Sequence, residues 1–309
     1  MKIVRSLAPI QASKPAVTMA IGCFDGVHRG HQQVISLCRE QAAREHAETW
    51  VLTFDPHPLQ VVQPDRAPKL LTNLTARLDL LRAQGIDGCM VIPFTPEFSK
   101  LNPEEFLNHL ISHIPDLRAV VIGDNWRFGR GASGNVDLLR KLSRSYNFHV
   151  TVAEPVLLDG AVISSSRIRE AVDAGRLADA ENMLGRRHAL AGRVVDGMKR
   201  GRHLGFPTAN LDLHGYALPP SGIYAALVHR DGHAAQAGAV YLPEGNTTQP
   251  GLLEVHLLDF AGDLYGHYLA VEFVQKIRED NLRFEHEADL KQQIANDVAT
   301  IRTVIGALP

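Results

Sequence analysis

Ile21-Gly22-Cys23-Phe24-Asp25-Gly26-Val27-His28-Arg29-Gly30-His31 stands between the apolar run Val17 to Ile21 and a segment in which Val34, Ile35, Leu37 and Cys38 recur at helical spacing. The order predicts a strand, a glycine-rich turn and a helix. Gly22, Gly26 and Gly30 let backbone approach a bound group closely, and the helix start points its free N–H groups at that group, a ready anion site. His28 and His31, three apart, fall on neighbouring positions of the first helical turn. An imidazole can donate to a phosphate oxygen without carrying a permanent charge.

The surrounding chain reads as two domains, residues 1–184 and 185–309. In the first, the short apolar runs Val17–Ile21, Thr49–Phe54, Cys89–Phe94, Ala119–Ile122 and His149–Val152 alternate with helical patterns at 32–44, 74–84, 103–114 and 136–145. Such alternation implies an α/β fold, a doubly wound parallel sheet covered on both faces, with ligands bound beyond the carboxyl ends of its strands. Three further strings fall at such ends. Phe54-Asp55-Pro56-His57-Pro58 follows the second run and reads as a stiff extended turn, because two prolines stop a helix. Gly123-Asp124-Asn125-Trp126-Arg127-Phe128-Gly129 follows the fourth. Ile163-Ser164-Ser165-Ser166-Arg167-Ile168-Arg169 opens another helix, read from Arg169 onward, and offers three hydroxyls and two guanidinium forks to a polyphosphate.

After Gly185 helical periods give way to short strands with glycine turns, the pattern of a small antiparallel β-barrel, closed by a helix of about residues 287–305. Gly197, Arg200, Arg202 and Gly205 mark a glycine-spaced basic loop. Behind it, in Phe206-Pro207-Thr208-Ala209-Asn210, Thr208 and Asn210 are two apart on an extended chain and present hard oxygens suited to Mg²⁺.

G-x-F-D-G-V-H-x-G-H resembles the signature of bacterial FAD synthetases, members of the HxGH nucleotidyltransferase superfamily, which are similar in their phosphate site to class I aminoacyl-tRNA synthetases. F-x-P-H-P (Phe54, His57, Pro58) resembles the family's motif on the flavin side of the cleft. The string at Gly123 resembles G-x-D-F-x-F-G, with Asn125 and Trp126 as departures and Phe128 retained. I-S-S-S-x-x-R resembles I-S-S-T-x-x-R. The resemblance implies nucleotide and flavin binding by Gly22, Phe24, Asp25, Gly30, Asn125, Phe128, Ser164 and Arg167. It also implies phosphate binding by Ser165 and Ser166, and charge stabilisation by His28, His31 and Arg169. R-G-R-x-L-G-F-P-T-A-N, Leu253-Glu254-Val255-His256, Asp263-Leu264-Tyr265-Gly266 and the later Lys276, Arg278, Phe284 and Asp297 are similar to riboflavin kinases. That similarity implies Glu254 as general base, Arg278 in substrate binding, and Mg²⁺ on Thr208 and Asn210. One segment departs: Tyr241-Leu242-Pro243-Glu244-Gly245-Asn246-Thr247 stands where the family has N-x-G-x-R-P-T, with only Thr247 retained and Pro243 at a glycine position.

The two motif sets together imply a bifunctional riboflavin kinase/FAD synthetase using ATP, riboflavin and FMN. The alternatives are a monofunctional FMN adenylyltransferase with a degenerate kinase half, or a catalytically dead flavin- or nucleotide-binding regulator. A net charge of −2 argues against a general nucleic-acid or membrane-surface binder. Three cysteines without a CxxC pair indicate neither zinc nor a disulfide framework. No secretory signal opens the chain and no apolar run approaches the roughly 18 residues of a membrane span, so a cytoplasmic enzyme with no obligate protein partner is expected. No GxGxxG follows a strand and no GxxxxGK[ST] occurs, which leaves dinucleotide redox and P-loop chemistry unsupported.

Overall fold

The structure, a computed structural model, describes residues 1–5, 16–114, 116–196, 204–230, 232–243 and 252–308. They form two compact units, Met1–Pro68 with Leu74–Ser164, and Lys69–Asn73 with Ser165–Pro309.

In the first unit β1 (Lys2–Val4), β2 (Val17–Ile21), β3 (Glu48–Asp55), β4 (Gly88–Pro93), β5 (Leu117–Gly123) and β6 (His149–Ala153) run parallel in the order β1-β4-β3-β2-β5-β6. The strands read as unbroken apolar runs because both faces are covered. On one face Met19, Trp50, Leu52, Met90 and Val120 pack with Phe106, Leu107 and Leu110 of α4 (Pro103–Ile111) and Leu139 of α5 (Val136–Tyr146). On the other, Ala20, Val51, Cys89 and Val121 pack with Val34, Ile35 and Cys38 of α1 (Arg29–Arg44) and Leu78 and Leu81 of α3 (Leu74–Ala83). Each such aliphatic side chain contributes about 1.5–3 kcal/mol on burial.

The strand order fixes where ligands go. From β2 the chain moves to β3 and β4 on one side, then crosses to β5 and β6 on the other. The crevice beyond the carboxyl ends of β2 and β5 is therefore the switch point of the sheet, the usual ligand position in an open parallel sheet.

Two local readings differ from expectation. Pro58 does not stop a helix but begins one, α2 (Pro58–Val62), at a first-turn position where the missing N–H would have had no partner. The helix of the hydroxyl string, α6 (Ser165–Asp173), starts at Ser165, four residues before Arg169, because serines are readily accommodated in a first turn.

In the second unit α6 is followed by α7 (Leu177–Leu184), ended by Gly185 in the left-handed region at φ 72°. Strands β9 (Ala189–Val195), β10 (Ala209–Asp212), β11 (Gly222–Arg230), β12 (Gln236–Leu242), β13 (Leu252–Leu257) and β14 (Tyr268–Arg278) close an antiparallel barrel in the order β10-β13-β12-β11-β14-β9; β7 and β8 are the short hairpin Leu157–Leu158 and Ala161–Val162 of the first unit. Alternation places Leu253, Val255, Leu257, Leu269, Val271 and Phe273 inside. The last helix, α8 (Glu287–Gly306), lays Ile301 and Val298 against Ala225 and Leu258 on the barrel exterior.

Candidate active sites

In the first unit the histidine pair sits at the switch point. β2 ends at Ile21, and the following loop folds tightly enough that Phe24 and Val27 adopt φ of 51° and 40°, while Gly26 takes 79° without strain. His28 is the N-cap of α1: its backbone is extended and its Nδ1 accepts from the His31 N–H at 3.3 Å. The two rings stack, centroids 3.6 Å apart and planes 18° from parallel, and Phe24 meets the His31 ring edge-on at 5.2 Å. The N-terminus of α1, the positive end of its dipole, faces the same crevice. His28 and Asp25 are buried. Gly30 packs so close to His28 that a Cβ there would lie 3.1 Å from its Cε1 and 3.5 Å from the carbonyl oxygen of Ile163. That contact brings the start of the I-S-S-S string to the histidine turn.

The other strings of this unit end on the same edge. Phe54, next to last in β3, meets Phe94 edge-on at 5.6 Å, and His57 caps α2, accepting from Leu59 N–H at 3.3 Å. At the end of β5, Asn125 is exposed and Trp126 lies flat on Phe128 at 4.7 Å, so one face of the indole is taken up within the protein. A polar cavity of about 360 Å³ beside α1 is lined by Arg29, Gln32, Ser36, Arg39 and Gln84. It contains neither histidine, and the crevice beyond β2 and β5 is the better-founded site.

Ser165, Ser166 and Arg167 occupy the first turn of α6 in the second unit, where Arg169 donates through Nε to the Lys69 carbonyl oxygen at 2.6 Å.

On the barrel, Glu254 of β13 lies between Asn210 of β10 and Tyr241 of β12 in the strand registers. The Thr208 hydroxyl donates to Glu254 Oε2 at 3.2 Å. Thr208, Asn210 and Glu254 are thus brought together, as the spacing of the first two and the family pattern imply. The donor set is of hard oxygens, as Mg²⁺ prefers. The structure adds neighbours that sequence reading did not single out. His256, two residues along the strand from Glu254, has Nδ1 2.8 Å from the Pro207 carbonyl oxygen and its ring edge-on to Phe206, holding the turn that carries Thr208. Tyr241 donates to Asp280 at 3.0 Å, and desolvation, that hydrogen bond and the nearby carboxylates push its hydroxyl up to about 12.

Arg278 is otherwise engaged. Its guanidinium holds Asp297 of α8 at 2.9–3.1 Å, with Asp297 buried, and so pins the closing helix to β14. Gly205 is described, in the left-handed region at φ 88°, whereas Gly197, Arg200, Arg202 and Thr247 lie outside the described residues. No disulfide joins the three cysteines; burial pushes the Cys89 thiol up to about 12 and raises that of Cys38 as well, so both are inert.

The FAD synthetase family model matches residues 10–167, and the riboflavin kinase model matches residues 184–305. A bifunctional riboflavin kinase/FMN adenylyltransferase of Escherichia coli strain K12 is 36% identical over 310 residues, covering 99% of this chain and 98% of the relative. The chain belongs to the bifunctional riboflavin kinase/FMN adenylyltransferase family. The family's protein from Pseudomonas fluorescens is 35% identical over 306 residues, covering 98% of both chains. A solved structure described as a macrolide-efflux protein from Streptococcus pneumoniae superposes over 97% of this chain and 99% of its own, with a TM-score of 0.79 and 27% identity. The efflux description does not agree with the family. Both family models match in sequence order and together span most of the chain, so the sequence relatives decide the family.

Proposed function

We propose that this chain converts riboflavin to FMN at the barrel and FMN to FAD at the crevice of the parallel sheet, using ATP in both steps. The observation that carries the reading is that one chain holds two arrangements suited to phosphate chemistry. One is the stacked His28–His31 pair at the start of α1; the other is Thr208 hydrogen-bonded to Glu254 beside Asn210. We assign the functional boundary to residues 184/185, where the riboflavin kinase match begins.

At the barrel, Glu254 takes the proton of the ribityl 5′-hydroxyl as that oxygen attacks the γ-phosphorus of ATP. The bond to the bridging oxygen breaks and ADP leaves. Thr208 and Asn210 would hold Mg²⁺, which when bound neutralises charge on the phosphate oxygens. Thr208 orients the Glu254 carboxylate, and His256 steadies the turn before Thr208.

At the crevice, a phosphate oxygen of FMN attacks the α-phosphorus of ATP and pyrophosphate departs. His28 and His31 stabilise the charge that builds on the α-phosphate, as donors fixed in place before the reaction. Their positions cost no reorganisation because the cap, the stacking and Gly30 already fix them. Ser164, which closes the same unit, would receive phosphate oxygens of ATP. Both steps consume ATP, which suits a cytoplasmic protein.

The test is incubation with riboflavin and ATP, with and without Mg²⁺, resolving FMN and FAD by chromatography. Both products should form, and only with Mg²⁺. FAD from supplied FMN but no FMN from riboflavin would remove the kinase half of the reading, and neither product would remove both.

A further inference from the structure

Arg77 lies in a stretch, Leu74-Thr75-Ala76-Arg77-Leu78, that carries no site pattern, yet in α3 its side chain is only 3% exposed. Its guanidinium turns toward the crevice end of the sheet. Nη1 donates to the carbonyl oxygen of Cys23 at 3.1 Å and Nη2 to that of Phe54 at 2.9 Å. Nη2 also lies 3.5 Å from Asp55 Oδ1. One planar fork therefore ties the loop after β2 to the end of β3. The Cys23 carbonyl accepts a second bond, from the Thr53 hydroxyl at 2.9 Å.

The residues next to that carbonyl explain why it is held twice. Phe24 and Val27 occupy the left-handed region, which side-chain-bearing residues leave unless their surroundings hold them there. Both are buried, and His28, the cap of α1, follows at once. A loop so strained relaxes when its anchor is removed, and the imidazole pair moves with it. Lysine cannot reproduce the fork, since it is a point donor without a planar array.

We infer that Arg77 is a positioning residue for FMN adenylylation: by fixing the Cys23 carbonyl, with Thr53 as second donor, it holds the strained Phe24–Val27 turn and thereby the His28–His31 pair in reactive geometry. The inference rests on the assignment of the adenylyl site to that pair. Arg77 acts on that pair through the Cys23 and Phe54 carbonyls.

The test uses the full chain, with FMN formation from riboflavin as the internal measure of intact protein. Arg77→Met should lower kcat for FAD formation from FMN by about 10- to 100-fold while KM for FMN and ATP changes by less than about three-fold, as expected for misplacement rather than lost binding. Arg77→Lys, able to reach one carbonyl, should recover part of that loss. Thr53→Val should lower the same kcat several-fold and supplies the test should Arg77→Met not fold. Wild-type kcat in folded Arg77→Met or in Thr53→Val, a loss confined to KM, or Arg77→Lys no better than Arg77→Met would overturn the inference. His31→Ala separates it from its premise: if that variant keeps wild-type FAD formation, the site assignment fails; if it is crippled while Arg77→Met is not, only the role of Arg77 fails.

Discussion

Adding one methyl group at Gly30 separates stability from adenylylation. Gly30 is the second residue of α1, and a Cβ there would stand 3.1 Å from His28 Cε1, 3.2 Å from His28 Nδ1 and 3.5 Å from the Ile163 carbonyl oxygen. The first two distances are tighter than ordinary carbon contacts, so the His28 ring must give by a few tenths of an ångström. It has little room, being 5% exposed and stacked on His31 at 3.6 Å. Its cap bond to the His31 N–H is already 3.3 Å long and breaks first. Loss of a cap costs about 1 kcal/mol, whereas alanine in place of glycine within a helix returns roughly 0.8–1 kcal/mol. Gly30→Ala should therefore melt within about 4 °C of wild type. The rate follows geometry instead. Misplacement by about 1 Å costs on the order of 100-fold, and a shift of a few tenths should cost about 10-fold in kcat for FAD formation from FMN. FMN formation from riboflavin, measured in the same preparation, should not change. A Gly30→Ala protein with wild-type kcat for FAD formation and wild-type melting would refute the claim that the His28 ring must sit where it does.

Three more outcomes follow from the second unit. Glu254→Gln should lower FMN formation by on the order of 10²–10⁴ while adenylylation of supplied FMN continues; equal FMN yields from the variant and wild type in a discontinuous chromatographic assay would exclude Glu254 as base. Arg278→Met leaves the buried Asp297 with only the Gln293 amide, 2.8 Å away, among the described residues, and should destabilise the barrel by about 3 kcal/mol in urea unfolding. A change in the KM for riboflavin with unchanged unfolding would instead return Arg278 to substrate binding. A fragment of residues 165–309 should resist urea better than one of residues 185–309, because the shorter piece lacks Leu177, which packs on the barrel core, and the buried Ala180, Met183 and Leu184. Equal midpoints would show that α7 adds nothing to the barrel.

Much of the fold was legible because its cause is local and periodic. Val17–Ile21 and Ala119–Ile122 could be read as covered strands, since helices on both faces of a parallel sheet demand unbroken apolar runs. The histidine pair could be read for a related reason: a strand, a glycine turn and a helix fix the geometry of His28 and His31 from within one continuous string. Where the cause was not periodic, reading failed. β1 has three residues at the sheet edge, too short to show alternation. Pro58 looked like a breaker because the rule against proline holds for helix interiors and not for first turns.

The site residues that escaped reading share one property: their partners are far along the chain. Arg77 bonds Cys23 and Phe54 across 54 and 23 residues, and nothing about an arginine in an ordinary helix shows which carbonyls it will meet. The segment Lys69–Asn73 makes the same point more strongly. It lies in the sequence between α2 and α3 of the first unit, yet it belongs to the compact unit of the barrel. Leu70 donates to the Gly215 carbonyl at 2.8 Å and accepts from Ala217 at 2.9 Å, bonds made by backbone groups that any residue but proline would offer. Asn73 then donates to the Ala191 carbonyl oxygen, 118 residues away, and accepts from the Tyr268 hydroxyl, 195 residues away. A composition change near Gly185 locates where strands begin to replace helices. It cannot locate five residues of an earlier loop whose place is set by backbone pairing, and the compact units divide at Ser164 and at both ends of this strap.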